Sequence, residues 1–284
     1  DIFHAVASDK LTGQGEQGDS ESRFEVTKKA SEELGIRYKP VPTAAEVAEA
    51  ERQYAEVEAK YKGTAGWLKA PNGKPTNLNE RQWVQVRTAA FKAWFGDWEN
   101  DPKNASKVVD ENGEPRVVYN GRINPTTKYE AKTTGYTSGF AGNWEVKRNG
   151  VFFSDNKDFA MQYGDNINEV FLNIRKLEEY SRQDQIAFAE TFSPFGEERD
   201  MYLDAFYFSK PWMLLDDEIG ERFVDYLKNK KVDGYVFQED LEIDNGGNPE
   251  SETYVVFSPN QIKSATGNVG TFSESNPDIR YKVL

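Results

Sequence analysis

Three short stretches carry residue types that could grip a polar ligand and assist chemistry on it. The first is Val117-Val118-Tyr119-Asn120-Gly121-Arg122, which reads as a strand ending in an amide and a glycine. Glycine at such a place lets a backbone come close to a ligand. The second is Asn149-Gly150-Val151-Phe152-Phe153-Ser154-Asp155, an aromatic strand whose faces alternate. It ends in Ser and Asp, both good helix caps, and leads into a segment with Ala160 and Tyr163. The third runs from Ser251-Glu252-Thr253-Tyr254 through an apolar stretch to Asn260-Gln261-Ile262-Lys263-Ser264. Here a polar strand mouth opens onto a buried run. Each stretch alone reads as ordinary sheet, and it is their order along the chain that matters.

Other chemistries lack their residues. The chain has no cysteine and one histidine, His4, which removes disulfide frameworks, thiolate zinc sites, cysteine nucleophiles and HExxH sites. With His4 near the start, no buried Ser-His-Asp triad is expected. No GxxxxGK[ST] and no strand-borne GxGxxG occurs, so neither a P-loop nor a dinucleotide-binding crossover is supported. Carboxylates are plentiful, but no pair stands out as a glycosidase couple.

The elements that must position these stretches are short. Thr43 and Glu46 form a capping-box pattern ahead of Val47, Ala50, Tyr54, Val57 and Tyr61, and Gly63 ends that helix. With only two heptads, it reads as a docking helix rather than a coiled-coil arm. After the turn-rich segment 66–76, Asn79 and Gln82 open a second helix bearing Trp83, Ala90, Phe91, Trp94, Phe95 and Trp98. An aromatic stripe at helical spacing reads as core. Beyond it, a hairpin turn is expected at 110–113 and strands at 116–119, 151–154, 170–174, 235–238 and 253–257. Helices are expected at 157–163 and 218–230, with 178–204 acidic and unassigned. Strands separated so irregularly indicate an α+β fold, not a doubly wound α/β fold.

At 284 residues with 37% hydrophobic and 13% aromatic content, the chain can build a substantial core. Its 48 acidic and 35 basic residues give a net charge of −13, which disfavours nonspecific binding to nucleic-acid phosphates. No apolar run spans a bilayer and no signal segment is evident. Residues 1–42 read as weakly ordered. The chain starts at Asp1, which suggests an excerpt or a processed product. Arg23-Phe24-Glu25-Val26 is echoed by Arg280-Tyr281-Lys282-Val283, as repeated spacers of a polyprotein would be.

At these residues the sequence resembles the ADP-ribosyltransferase-like domains of phage and mobile-element polyvalent proteins, within the superfamily of the poly(ADP-ribose) polymerases. The Trp-rich helix and its Ala-Pro-Asn-Gly-Lys prelude carry the resemblance, with Val-Val-Tyr-Asn-Gly, Gly-Val-Phe-Phe-Ser-Asp, Tyr-Val-Val-Phe-Ser-Pro-Asn-Gln-Ile-Lys-Ser and the closing Asn-Pro-Asp-Ile-Arg-Tyr. It covers about residues 66–284. It implies a split two-sheet fold preceded by N-terminal helices, with segment 1–65 ahead of a domain at 66–270 and a spacer at 271–284. It also implies NAD+ as substrate, no metal, and an unidentified host protein or other macromolecule as acceptor. The setting it implies is the bacterial cytoplasm, or delivery as an effector into another cell.

The resemblance places Asn120 where the family has His, or Arg in another branch; Arg122 lies two residues beyond and does not restore that Arg. Phe152 stands for the aromatic that stacks on nicotinamide. Thr253 aligns with the family's glutamate, and the adjacent Glu252 would face the other way in a regular strand unless a bulge or a one-residue shift turned it inward. Asn120, Glu252 and Thr253 are thus the expected catalytic set. Tyr119, Gly121, Arg122, Phe152, Phe153, Ser154, Tyr163 and Gln261 are the expected NAD+ contacts. With Asn and Thr in place of His and Glu, mono-ADP-ribosyl transfer is expected rather than chain elongation. The alternatives are a transferase-like module that binds NAD+, ADP-ribose or a protein without turnover, and a structural segment of a polyprotein.

Overall fold

The computed structural model describes residues 43–139, 142–191, 211–239, 251–268, 270–272 and 277–280. The chain divides into two units, Asp1–Val41 and Pro42–Leu284. The first, with the Arg23–Val26 echo, lies outside the described residues, as do its counterpart beyond Arg280 and the part of the acidic stretch 178–204 that follows residue 191.

Helix α1 (Ala44–Tyr61) starts at the capping box: Glu46 N donates to Thr43 Oγ1 at 3.2 Å and Thr43 N to Glu46 Oε2 at 2.7 Å. It buries Ala50 and Val57 and leans Tyr54 and Tyr61 on an aromatic cluster. The aromatic stripe is not one helix but two, α2 (Glu80–Gln85) and α3 (Ala89–Phe95). Thr88 makes the break: its backbone is extended and its hydroxyl accepts from Phe91 N at 3.2 Å, so it caps a new helix. The break folds Trp83, Phe91, Trp94, Phe95 and Trp98 into one buried cluster. Phe171 and Phe272 meet Phe91 edge-on at 5.2 and 5.1 Å.

The strands follow as β1 (Val118–Arg122), the hairpin β2 (Lys132–Gly139) and β3 (Gly142–Asn149), and β4 (Val151–Ser154). After helix α4 (Lys157–Met161) come β5 (Asn166–Leu172), β6 (Leu177–Glu179) and helix α5 (Arg182–Glu190). A 3-10 turn at Pro211–Leu215 leads into helix α6 (Asp217–Asn229), then β7 (Gly234–Glu239), β8 (Ser251–Val256) and β9 (Ile262–Ser264). Seven strands form one mixed sheet in the order β6-β7-β8-β4-β1-β5-β9, parallel only at β6–β7; β2 and β3 pair separately. The fold is α+β, with helices ahead of the sheets.

Alternation along β8 fixes what each face buries. Tyr254 and Val256 pack with Val118, Phe153 and Val170, whereas Val255 packs with Phe223, Leu227 and Phe237 beneath α6. No helix among the described residues is long and apolar enough to cross a membrane.

Candidate active site

The seven-stranded sheet is pried open between β1 and β4. These strands share one paired position, Tyr119↔Ser154, while β1 pairs with β5 at five positions and β4 with β8 at four. Past Tyr119 the ladder is replaced by a side chain: Asn120 Nδ2 donates to the Phe152 carbonyl at 2.8 Å. The opening is a cleft of about 170 Å³. Asn120, Gly121 and Arg122 form one wall, Gly150 to Ser154 the other, and Tyr163, Thr253, Glu239, Thr133 and Arg148 line the rest.

Asn120 is held on every side. Its Oδ1 accepts from Tyr129 Oη at 3.1 Å and from Arg122 Nε at 3.2 Å, and Tyr129 Oη in turn accepts from Asn168 Nδ2 at 2.7 Å. Burial pushes the Tyr129 hydroxyl up to about 12, so it stays a donor to the amide. The Arg122 guanidinium lies 4.9 Å from the Tyr129 ring centroid. Gly121 serves packing: a Cβ there would sit 1.9 Å from the Ala160 carbonyl oxygen, so the close approach it permits is that of α4. Tyr119 pairs with Ser154 across the one shared position, and the Lys157 ammonium lies 5.9 Å from its ring.

On the other wall, Phe152 is half-buried, with the Arg148 guanidinium 5.6 Å from its ring. Phe153 is buried against Tyr129 and forms the floor. Ser154 donates to Asn156 O at 2.9 Å and touches the Ser251 hydroxyl. Tyr163 remains 49% exposed at the mouth, packs on Phe159 and hydrogen-bonds to Glu239.

The two neighbouring residues of the third stretch part company. Thr253 faces the cleft, and its hydroxyl donates to Glu239 Oε2 at 2.7 Å. Glu252 faces away, as an unbulged strand dictates: β8 runs in regular register against both β4 and β7. Its carboxylate accepts from Arg116 Nη1 at 2.8 Å and Tyr254 Oη at 2.7 Å, in an ion cluster that includes Asp155. Gln261 also stands outside the cleft. It accepts from Phe257 N and Ser258 N, donates to the Asn173 and Asp233 carbonyls, and lines a separate depression of about 420 Å³.

Two charged cleft residues escape a reading by motif. Glu239 ends β7, where its only sequence signal is a carboxylate closing an apolar strand. Burial raises its carboxyl above the usual range, opposed by the hydrogen bond from Thr253. Arg148 comes from β3 and is anchored beside α6: its Nε lies 3.6 Å from Asp216 Oδ1, and Asn149 Nδ2 donates to the Leu215 and Asp217 carbonyls at 3.2 and 3.0 Å. Burial pushes the Asp216 carboxyl up to about 6, against the pull of Arg148. No group of three His, Cys, Asp or Glu among the described residues is placed to hold a metal.

Chemically, the cleft offers an aromatic wall, an amide fixed in orientation, a carboxylate under partial burial and two guanidinium groups at its rim. These suit a planar cationic ring joined to a sugar and phosphates. A family model for ADP-ribosyltransferases in polyvalent proteins matches residues 110–272, from the turn before β1 to beyond β9. No curated protein and no solved structure matches the chain. The matched segment exceeds half of the chain and contains every wall of the cleft: the protein belongs to the ADP-ribosyltransferase family found in polyvalent proteins.

Proposed function

We propose that this cleft binds NAD+ and transfers a single ADP-ribose to an acceptor on a host macromolecule. The observation that carries the reading is the opening between β1 and β4, where Asn120, Phe152 and Thr253 line one crevice. At about 170 Å³ it is smaller than the roughly 300–1,000 Å³ of sites that engulf a whole ligand, so it suits the nicotinamide riboside end. Phe152 would stack on the nicotinamide, with Tyr163 closing the outer side. Asn120, fixed by Tyr129 and Arg122, would orient the amide or the ribose, with Tyr119, Gly121, Phe153 and Ser154 shaping the walls. Arg122 and Arg148 would meet the pyrophosphate as charge-assisted donors.

Cleavage of the nicotinamide–ribose bond builds positive charge on the sugar. Its electron pair leaves with the ring nitrogen and gives neutral nicotinamide. A water-poor cleft with fixed dipoles and a carboxylate stabilises that charge more than solvent would. Biotinylated NAD+ with candidate host lysate should label a protein band, and Asn120→Ala should abolish the label. Phe152→Ala should weaken NAD+ affinity by roughly 1–3 kcal/mol, the range of stacking on an aromatic ring. An affinity unchanged in Phe152→Ala would remove that ring from the site.

One observation favours a second reading, binding without turnover: both polar ends of the Asn120 amide are already engaged within the protein. A thermal shift with NAD+ but neither nicotinamide release nor label transfer would select it.

A further inference from the structure

Strand β8 brings Thr253, not a carboxylate, to the cleft, and its own glutamate is committed to Arg116 on the far face. The cleft nevertheless has a carboxylate. Thr253 pairs across the ladder with Phe237, so the next residue of β7 on the same face is Glu239, a diagonal neighbour of Thr253. The two side chains meet at 2.7 Å, and Tyr163 hydrogen-bonds to the same carboxylate from the α4 side.

We propose that Glu239, supplied by strand β7, is the catalytic carboxylate of this cleft, with Thr253 and Tyr163 as its positioning residues. The proposal rests on the NAD+ reading above. Three features of Glu239 support it. It lines the same crevice as Phe152 and Asn120. Its side-chain partners among the described residues are a hydroxyl donor on each side, and no cation among those residues is paired with it at salt-bridge distance; Arg148 acts on it only through space. Its burial raises the carboxyl above the usual range, which makes it a better proton acceptor than an exposed carboxylate. Glu252 contrasts in the first two respects, being neutralised by Arg116 and absent from the lining.

In the ground state Glu239 accepts a hydrogen bond from a hydroxyl of the nicotinamide ribose. In the transfer step the C1′–N bond breaks, its electron pair leaving with nicotinamide. The acceptor's oxygen or nitrogen forms the new bond to C1′, and its proton passes to Glu239 and then to solvent. With water as acceptor the products are ADP-ribose, nicotinamide and a proton, so nicotinamide release reports the step without knowledge of the physiological target.

The test compares wild type, Glu239→Gln, Glu239→Asp, Thr253→Val and Phe152→Ala by calorimetric titration with ADP-ribose and ADP, and by nicotinamide release from NAD+. Glu239→Gln keeps the shape and most hydrogen-bonding capacity; Glu239→Asp keeps the charge should the glutamine variant fold poorly. Wild type should bind ADP-ribose at least tenfold tighter than ADP. Glu239→Gln should erase that preference, leave ADP affinity unaltered and slow nicotinamide release at least a hundredfold. Glu239→Asp should retain part of the release. Thr253→Val should shift the pH profile of release upward, because it removes a donor that favours the ionised carboxylate. If Glu239→Gln matches wild type in both assays while Phe152→Ala slows nicotinamide release, Glu239 is not the catalytic carboxylate and the NAD+ reading stands. If wild type prefers ADP-ribose no more than ADP and releases no nicotinamide, the underlying reading falls and takes this one with it.

Discussion

Glu252, Thr253 and Tyr254 occupy three successive places on β8, and the pleat gives them different tasks. The outer two join Arg116 in an ion cluster on one face while the middle one turns into the cleft. Arg116→Ala would leave the half-buried Glu252 and Asp155 carboxylates beside each other without their common cation. Unfolding in urea should show it less stable by about 2 kcal/mol, given what removing one partner of a buried pair costs, reduced for partial exposure. Asp216 sets a second expectation, with a defined sign. Its carboxyl holds a proton up to about 6 in the fold against 3.8 as the unperturbed value. Protonation therefore favours the folded state. As pH falls from 7 through 6 toward 4, wild type should gain stability relative to Asp216→Asn, by on the order of 1–3 kcal/mol from linkage. A pH series of thermal melts on both proteins checks this, and a constant gap between them would refute it. At this scale Asn120, Phe152 and Thr253 were legible as cleft residues through the family resemblance of their stretches, not through strand spacing. Glu239 was not, because its position depends on how β7 registers against β8 across a long intervening segment, and no local spacing encodes that.

Among the elements, β1 and the two aromatic helices teach most. The sequence predicts a strand at 116–119, and the strand observed runs Val118–Arg122, two residues later at its start and three at its end. Pairing with β5 carries it through Asn120 and Gly121, a tertiary effect that turn-forming residues conceal locally. Gly121 belongs in that strand because α4 lies on it. Gly121→Ala should destabilise by about 2–3 kcal/mol, as overpacking against a fixed backbone does, and should weaken NAD+ binding by shifting α4 and Tyr163. Thermal melts with and without NAD+ would show both effects, and an unchanged melt would mean that α4 yields freely. The hairpin β2–β3 escaped the sequence reading. Its first strand, rich in Lys, Thr, Ser and Gly, shows no alternation of apolar and polar faces, and only the short run Trp144-Glu145-Val146-Lys147 of the second alternates, yet the hairpin delivers Arg148 to the cleft. The aromatic stripe was legible as core but not as two helices, since Thr88 fits inside a helix until its hydroxyl is seen capping the next one.

For the molecule as a whole, the chain has a net charge of −13, while the lining of its cleft includes Arg122 and Arg148. Long-range repulsion and local attraction then separate ligands by size. A small dinucleotide can reach the arginines, whereas a polyphosphate strand meets the whole field. Duplex DNA should show no binding by fluorescence anisotropy at 0.15 M salt, while Arg148→Ala should weaken NAD+ at least tenfold at low salt. Composition alone made the first of these legible; the second needs the placement of β3. The α+β class was legible from irregular strand spacing, and the sheet order was not, because four of its six neighbouring pairs join strands that are not consecutive in the chain. The most direct test of the account is a crystal structure of the protein soaked with NAD+. The account expects the nicotinamide ring against Phe152 and the adjoining ribose within hydrogen-bonding distance of Glu239, between β1 and β4. Density for NAD+ elsewhere, such as the depression beside Arg175 and Lys228, with the β1–β4 opening empty, would contradict it.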